Sequence, residues 1–186
     1  MLTAAREEFA ARGFDAVTLR RVAARAGVDA AMVTHHFGSK SGLFRAALDV
    51  SLDTATEIAA VLPGPPDELA GRLLGRLLVL WDSPAGAATI AAVRTSLQDE
   101  DGTALLRDLL GRHVLRTLAG ALPGPQAERR WRAALVASQV AGLLLTRYVL
   151  RLEPLASAGH PTVVAALEPT LQRYLTGPLP PARVEL

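Results

Sequence analysis

TLRRVAARAGVDAAMVTHHFGSK, residues 18–40, is the stretch that decides the fold. Thr18 stands where an N-cap is wanted, and Leu19, Val22, Ala23 and Ala26 follow at i, i+3, i+4 and i+7 until Gly27 stops the helix. Asp29 is placed to cap a second short helix, 30–37, whose inward positions by spacing are Val33 and Phe37. Ala23 is small where the two helices must touch, Gly27 lets the chain turn, and Val22, Ala26, Val28 and Val33 close the wedge. Caps, turn and apolar spacing in one register predict a helix-turn-helix.

Outward from this unit the helical period continues. Before it, LTAAREEFAARG sets Leu2, Ala5 and Phe9 on one face of a first helix that ends at Gly13. After it, Gly38-Ser39 breaks the chain and caps a fourth helix, in which Leu43, Phe44 and Ala47 recur at helical intervals toward Leu62. Proline and glycine then punctuate the chain at LPGPPDE (62–68), Ser83-Pro84, LPGPQ (122–126) and GHPT (159–162). Helices are expected over 69–82, 85–98, 103–121, 126–153 and 162–176, before an irregular tail. In the first of these, Gly71 and Gly75 form a GxxxG pattern that reads as close helix packing. Hydrophobic residues make up 50% of the 186-residue chain and aromatics only 4%, with Ala and Leu outnumbering β-branched residues, which favours helix over sheet. The predicted fold is all-α, a three-helix head continuous with a larger helical domain, with boundaries at 1–45 and 46–186.

Composition removes several function classes. With no cysteine, the chain has no disulfide framework and no thiolate metal site. His35 and His36 are adjacent, so on a helix they point about a hundred degrees apart, whereas metal-binding histidines recur at i and i+4; no metal is expected. Neither a nucleophile elbow nor a P-loop nor a dinucleotide fingerprint appears, which argues against an enzyme and against a bound cofactor. A helical enzyme using His113 with Asp108 or Glu100 would lack any such motif. The longest uncharged stretch of the apolar half, Ala133–Thr146, is shorter than the roughly twenty residues a membrane span needs. There is no basic-apolar leader at Met1, so a cytoplasmic protein is expected, with no membrane partner.

The formal net charge of +2 is small, yet the whole excess lies between Met1 and Val50. Packing Val33 and Phe37 inward turns Ala30, Ala31, Thr34 and His35 outward, a face of small residues on a helix too short to stand alone. The major groove of DNA admits such a helix, with Thr34 and His35 in reach of base edges or phosphates and the alanines able to meet thymine methyls. Lys40, the only lysine in the chain, falls in the first turn of the fourth helix, where free N–H groups and the dipole already attract a phosphate. His36, on the flank, is better placed for a phosphate than for a base.

These residues, in the run AAREEFAARGFDAVTLRRVAARAGVDAAMVTHHFGSKSGLFRAAL (4–48), closely resemble the DNA-binding segment of the TetR family of bacterial regulators. ASQVAGLLLTRYVLRLEPLAS and PTLQRYLTGPL resemble the C-terminal regions of some members. The resemblance implies a homodimer on a double-stranded DNA operator, with a C-terminal domain that dimerises and holds a small-molecule effector. It places Thr18 and Lys40 at phosphates, Arg20 within reach of a base, and Ala30, Ala31, Thr34, His35 and His36 on the contacting face. Thr34 stands where the family often has Tyr, and Met32 where Thr is common. The family tends to carry residues ahead of its first helix; here that helix begins almost at Met1, so either the arm is lacking or the chain starts late.

Trp131–Leu152 is apolar nearly all round, which calls for burial on two sides; one face suits the protomer and the other a second copy. With Leu167, Leu171, Tyr174 and Leu175 from 162–176, it is expected to form a two-fold four-helix interface. Trp81, Arg94, Gln98, His113 and Gln139 are the polar or aromatic groups expected to face an effector. The resulting expectation is a repressor released from a pseudo-palindromic operator by a small molecule, with helix four (Ser39–Leu62) as the lever. The alternative is a small-molecule or lipid-binding helical protein that has lost specific DNA recognition, a reading that Met32 and Thr34 favour.

Overall fold

The computed structural model describes residues 1–51, 54–97 and 100–180, and among them there are only helices and their connections, without a strand. The chain separates into two compact units, Met1–Asp53 with Leu80–Leu110, and Thr54–Val79 with Gly111–Leu186.

The first unit holds α1 (Leu2–Arg12), α2 (Leu19–Ala26), α3 (Ala30–Phe37), α4 (Lys40–Ser51), α7 (Pro84–Ser96) and α8 (Glu100–Leu109). Each start signal acts locally: Thr18 Oγ1 accepts from the Arg21 amide at 3.2 Å, Asp29 Oδ1 from Ala31 at 2.6 Å and Ser39 Oγ from Gly42 at 3.0 Å. Gly27 ends α2 in the left-handed region, φ 66°, while the Gly27 and Val28 amides bond back to Ala24 and Ala23 at 3.3 and 3.0 Å. That Schellman arrangement satisfies the last carbonyls of α2 and aims the chain into α3.

Phe9, Phe14 and Phe44 form the centre of the core, with ring centroids 6.1, 4.9 and 5.3 Å apart. Val17, Val22, Ala23, Val33, Leu43 and Ala47 surround them, all buried. Leu105 of α8 packs on the same cluster, and Thr95 of α7 donates to the Phe9 carbonyl at 3.3 Å. The three-helix head therefore does not pack alone: α7 and α8 return to it from far along the chain. Gly42 is required by sterics, because a Cβ there would sit 2.0 Å from the Phe37 carbonyl oxygen. Its absence lets α4 begin tight against the end of α3.

The second unit holds α5 (Thr54–Val61), α6 (Leu69–Trp81, through Val79), α9 (Leu115–Ala121), α10 (Gln126–Leu144) and α11 (His160–Leu175). A short 3-10 turn, Pro66–Glu68, precedes α6, and π-type turns over Leu110–Val114 and Leu145–Val149 adjoin α9 and α10. Gln172 of α11 caps the start of α6, accepting from the Ala70 amide at 2.9 Å and donating to the Pro66 carbonyl at 2.7 Å. Buried Arg132, held by Glu128 of its own helix, ties α10 to the end of α11 by donating to the carbonyls of Tyr174 and Gly177.

Several helix ends depart from the sequence expectation. The helix expected from 103 begins at Glu100, where two acidic residues, Glu100 and Asp101, favour a first turn. The helix expected to reach 153 stops at Val149: Arg151 takes a left-handed φ of 51°, and Pro154 disfavours helix in the residue before it. GHPT reads as a break, yet Pro161 is the second residue of α11, where it lacks only an amide that needs no partner. The helix expected over Ser39–Leu62 is seen as α4 and α5, with residues 52 and 53 outside the described residues. Of the GxxxG pair, Gly71 does meet a neighbour, Glu168, while a Cβ on Gly75 would touch nothing within 4 Å.

Leu171 and Leu175 cannot serve the expected two-fold interface, because both are 0% exposed within the protomer. The apolar face of α11 that carries them is already used against its own unit; Leu167 and Tyr174 remain half-buried. On α10, Arg132, Ala133, Val136 and Leu143 are buried, whereas Trp131 is 37% exposed and Leu150 and Leu152 beyond it 61% and 51%.

Candidate nucleic-acid interface

Helix α3 presents the face its spacing predicts. Val33 is fully buried and Phe37 half-buried, while Ala31, Thr34, His35 and His36 are exposed and Ala30 lies at the margin. The polar groups on this face are partly committed to their own helix. Thr34 Oγ1 donates to the Ala30 carbonyl at 3.0 Å, so toward a ligand its hydroxyl can only accept. His36 Nδ1 lies 3.1 Å from the Met32 carbonyl, a contact that needs a proton on Nδ1 and leaves Nε2 facing outward as an acceptor unless the ring is protonated. The His35 and His36 rings are 5.8 Å apart and nearly perpendicular.

Lys40 opens α4, and its position is fixed by two contacts. Nζ donates to the Asp15 carbonyl at 3.2 Å and sits 4.3 Å from the centroid of the Phe14 ring. The ammonium is thereby brought to the turn that leads into Thr18. Two of its three protons remain free for an anion. Thr18 is exposed, and because its oxygen accepts from Arg21, its own O–H is free to donate outward.

The remaining cations of the head divide sharply. Arg25 pairs with Glu7 at 2.6 Å and Glu8 at 3.3 Å, Arg21 and Arg12 approach Glu8 at 3.0 and 3.2 Å, and Arg6 donates to the Ala47 carbonyl. The bond and charge of Glu7 hold the Arg25 guanidinium even more firmly protonated than usual. Glu8 is buried, and its Oε2 has two guanidiniums within ion-pair distance but neither aligned for a hydrogen bond. The attraction there is Coulombic rather than directional. Arg21 and Arg25 are half-exposed clasps between α1 and α2. Arg20 alone of the helix-two arginines is exposed with no ion pair or hydrogen bond among the described residues. Sequence reasoning missed Phe14 and Asp15 as the seat of Lys40, since nothing local links positions twenty-five residues apart.

Three of the residues expected at an effector have described side chains. Trp81 is buried and Arg94 exposed, both in the first unit; Gln139 is half-buried in the second. Gln98 lies outside the described residues, as does the side chain of His113. A cavity of about 10 Å³ does occur in the second unit, walled by Ile58, Val61, Leu73, Leu118 and Leu175 among other apolar groups, and Gln139 of that unit does not line it. Its volume holds no more than one water. Among the described residues no helix is long and apolar enough to cross a membrane, and no cluster of His, Asp and Glu is arranged for a metal.

Residues 1–47 match the family described as bacterial regulatory proteins, tetR family, and residues 67–175 the tetracyclin repressor-like C-terminal domain. The HTH-type transcriptional regulatory protein RaaS of Mycobacterium tuberculosis is 56% identical over 46 residues, which are 25% of this chain and 21% of that one, so the match spans about a fifth of that relative. The crystal structure of a TetR-family regulator from Streptomyces coelicolor is 36% identical and superposes with a TM-score of 0.73 over 94% of this chain and 91% of that one. A TetR-family transcriptional regulator from Rhodococcus sp., at 20% identity, shares the fold with a TM-score of 0.70 over 94% and 96% of the two chains.

Proposed function

The chain belongs to the TetR family of bacterial regulatory proteins, and from that premise we propose that it is a homodimeric repressor released from a pseudo-palindromic operator by a small molecule. The observation that carries this reading is the exposed, small-residue face of α3, flanked by Arg20 and Lys40 with donors left for a polyanion, while Arg12, Arg21 and Arg25 are paired with Glu7 and Glu8. In this proposal residues 1–45 bind DNA and 46–186 bind the effector and the partner subunit. Thr18 and Lys40 hold phosphates and fix the register; Arg20 and His35 reach base edges; Ala30 and Ala31 let the helix backbone come close. Thr34, able only to accept, suits an adenine or cytosine amino group. His36 stands on the flank of this face, toward a phosphate.

The exposed apolar groups at and beyond α10, Trp131, Leu150 and Leu152, support a second copy covering that face. Two α3 helices on a two-fold axis fit successive major grooves when about 34–36 Å apart. An effector that binds more tightly at another head separation releases the DNA by that difference in affinity, and DNA weakens effector binding by the same factor. Because the cavity of the second unit is apolar and holds barely a water, an effector entering there must be apolar and must part its walls.

Selection of bound fragments from genomic DNA by the purified full chain, followed by gel shift at low salt, tests the reading. Recovery of inverted half-sites one helical turn apart is expected. Failure to shift any recovered fragment would leave the family's fold in service of small-molecule binding alone.

A further inference from the structure

We propose that Met32 is a specificity-determining residue that seats its thioether against the 5-methyl group of a pyrimidine in each half-site, an inference that rests on α3 being the groove-facing helix. Met32 is a large apolar side chain left 46% exposed on that short helix. It is not among the side chains of the head's apolar cluster, although Leu19, Ala26, Val28, Ala30 and Phe37 of the same head pack against that cluster. Val33, the next residue, is fully buried, so Met32 projects about a hundred degrees away from the core direction, on the edge it shares with His36 one turn later. His36 Nδ1 rests on the Met32 carbonyl, which holds the imidazole against the backbone of that edge.

The chemistry narrows what can meet this group. A thioether has no proton to give and is a weak acceptor, so a phosphate gains nothing from it. Its unbranched, polarizable chain adapts to an irregular apolar surface. The floor of the major groove offers one apolar group, the C5 methyl, carried by thymine and by 5-methylcytosine. Contact there removes from water an apolar side chain that the free protein leaves exposed, and the preference for a methylated pyrimidine follows without any hydrogen bond. The expected magnitude is the burial of one methyl, about fourfold in affinity per half-site and about fifteenfold for both.

The test begins with a duplex selected from a random library by the wild-type chain, in which each thymine is replaced by uracil in turn. Loss of about fourfold at one pyrimidine per half-site, abolished in Met32→Gln and retained in His35→Ala, is the expected result. Replacing that thymine by 5-methylcytosine, with guanine opposite, distinguishes a reader of the methyl alone from one that also needs the T·A pair: affinity recovered relative to unmodified cytosine supports the methyl contact in either case. Because Met32 lies outside the core, Met32→Gln should keep the wild-type circular dichroism and melting temperature. Uniform tolerance of uracil by a chain that binds its selected duplex tightly overturns the proposal and leaves the DNA-binding reading intact. Recovery of no duplex at all overturns both.

Discussion

Lys40→Met removes a charge and keeps most of the stem, and its effect can be worked out from the contacts of Nζ. If each ammonium neutralises one phosphate, a dimer loses two such contacts, and the slope of log K against log salt should fall in magnitude by about 1.8. Between 50 and 200 mM salt the wild-type complex should then weaken about twelvefold more than the variant complex. The same substitution gives up the bond to the Asp15 carbonyl and the approach to the Phe14 ring. At a half-exposed site these contribute only about 0.5–1 kcal/mol to stability, so the variant stays folded and the titration remains interpretable. Fluorescence anisotropy with a labelled operator at four salt concentrations measures the slope, and urea unfolding checks the stability. An unchanged slope together with a lowered stability would refute the phosphate assignment and make Lys40 a strut for the Phe14 turn.

Further outcomes follow from other contacts. Gly42→Ala should destabilise the head by about 1–3 kcal/mol, since the new methyl meets the backbone oxygen of Phe37, whereas Gly75→Ala, with open space around it, should stabilise by about 0.5–1 kcal/mol; paired urea titrations read both signs. Phe44→Ala, at the junction of the aromatic cluster, should cost about 3–5 kcal/mol and abolish DNA binding at 37 °C, seen by thermal melting and gel shift. Gln172→Leu strands the Ala70 amide and should cost about 1–3 kcal/mol, with faster hydrogen exchange at the start of α6 as its local signature.

What was legible in the sequence was what neighbouring residues settle among themselves. Thr18, Gly27, Asp29 and Ser39 each act within about four residues, so the caps and the turn between α2 and α3 follow from spacing, and with them the outward face of α3. Contacts that span the chain left no such trace. The seating of Lys40 on Phe14, the approach of α4 to the Phe37 carbonyl, and the capping of α6 by Gln172 depend on how helices pack. Leu171 and Leu175 show the same limit from the other side: an apolar stripe is identical in sequence whether its own protomer or a partner covers it. Polarity alone does not say which polar interruptions of apolar helices converge, and the cavity of about 10 Å³ in the second unit is walled by aliphatic side chains, which carry no distinguishing signal.

Dimethyl sulfate protection of guanine N7 on an operator recovered by the wild-type chain tests the insertion of α3 most directly, because N7 lies in the major groove. Two clusters of protected guanines, their centres about 10–10.5 base pairs apart and the inner edge of each altered by His35→Ala, are the predicted pattern. Unprotected N7 positions on a duplex that the protein nonetheless retains, or a single cluster without a two-fold mate, would contradict it.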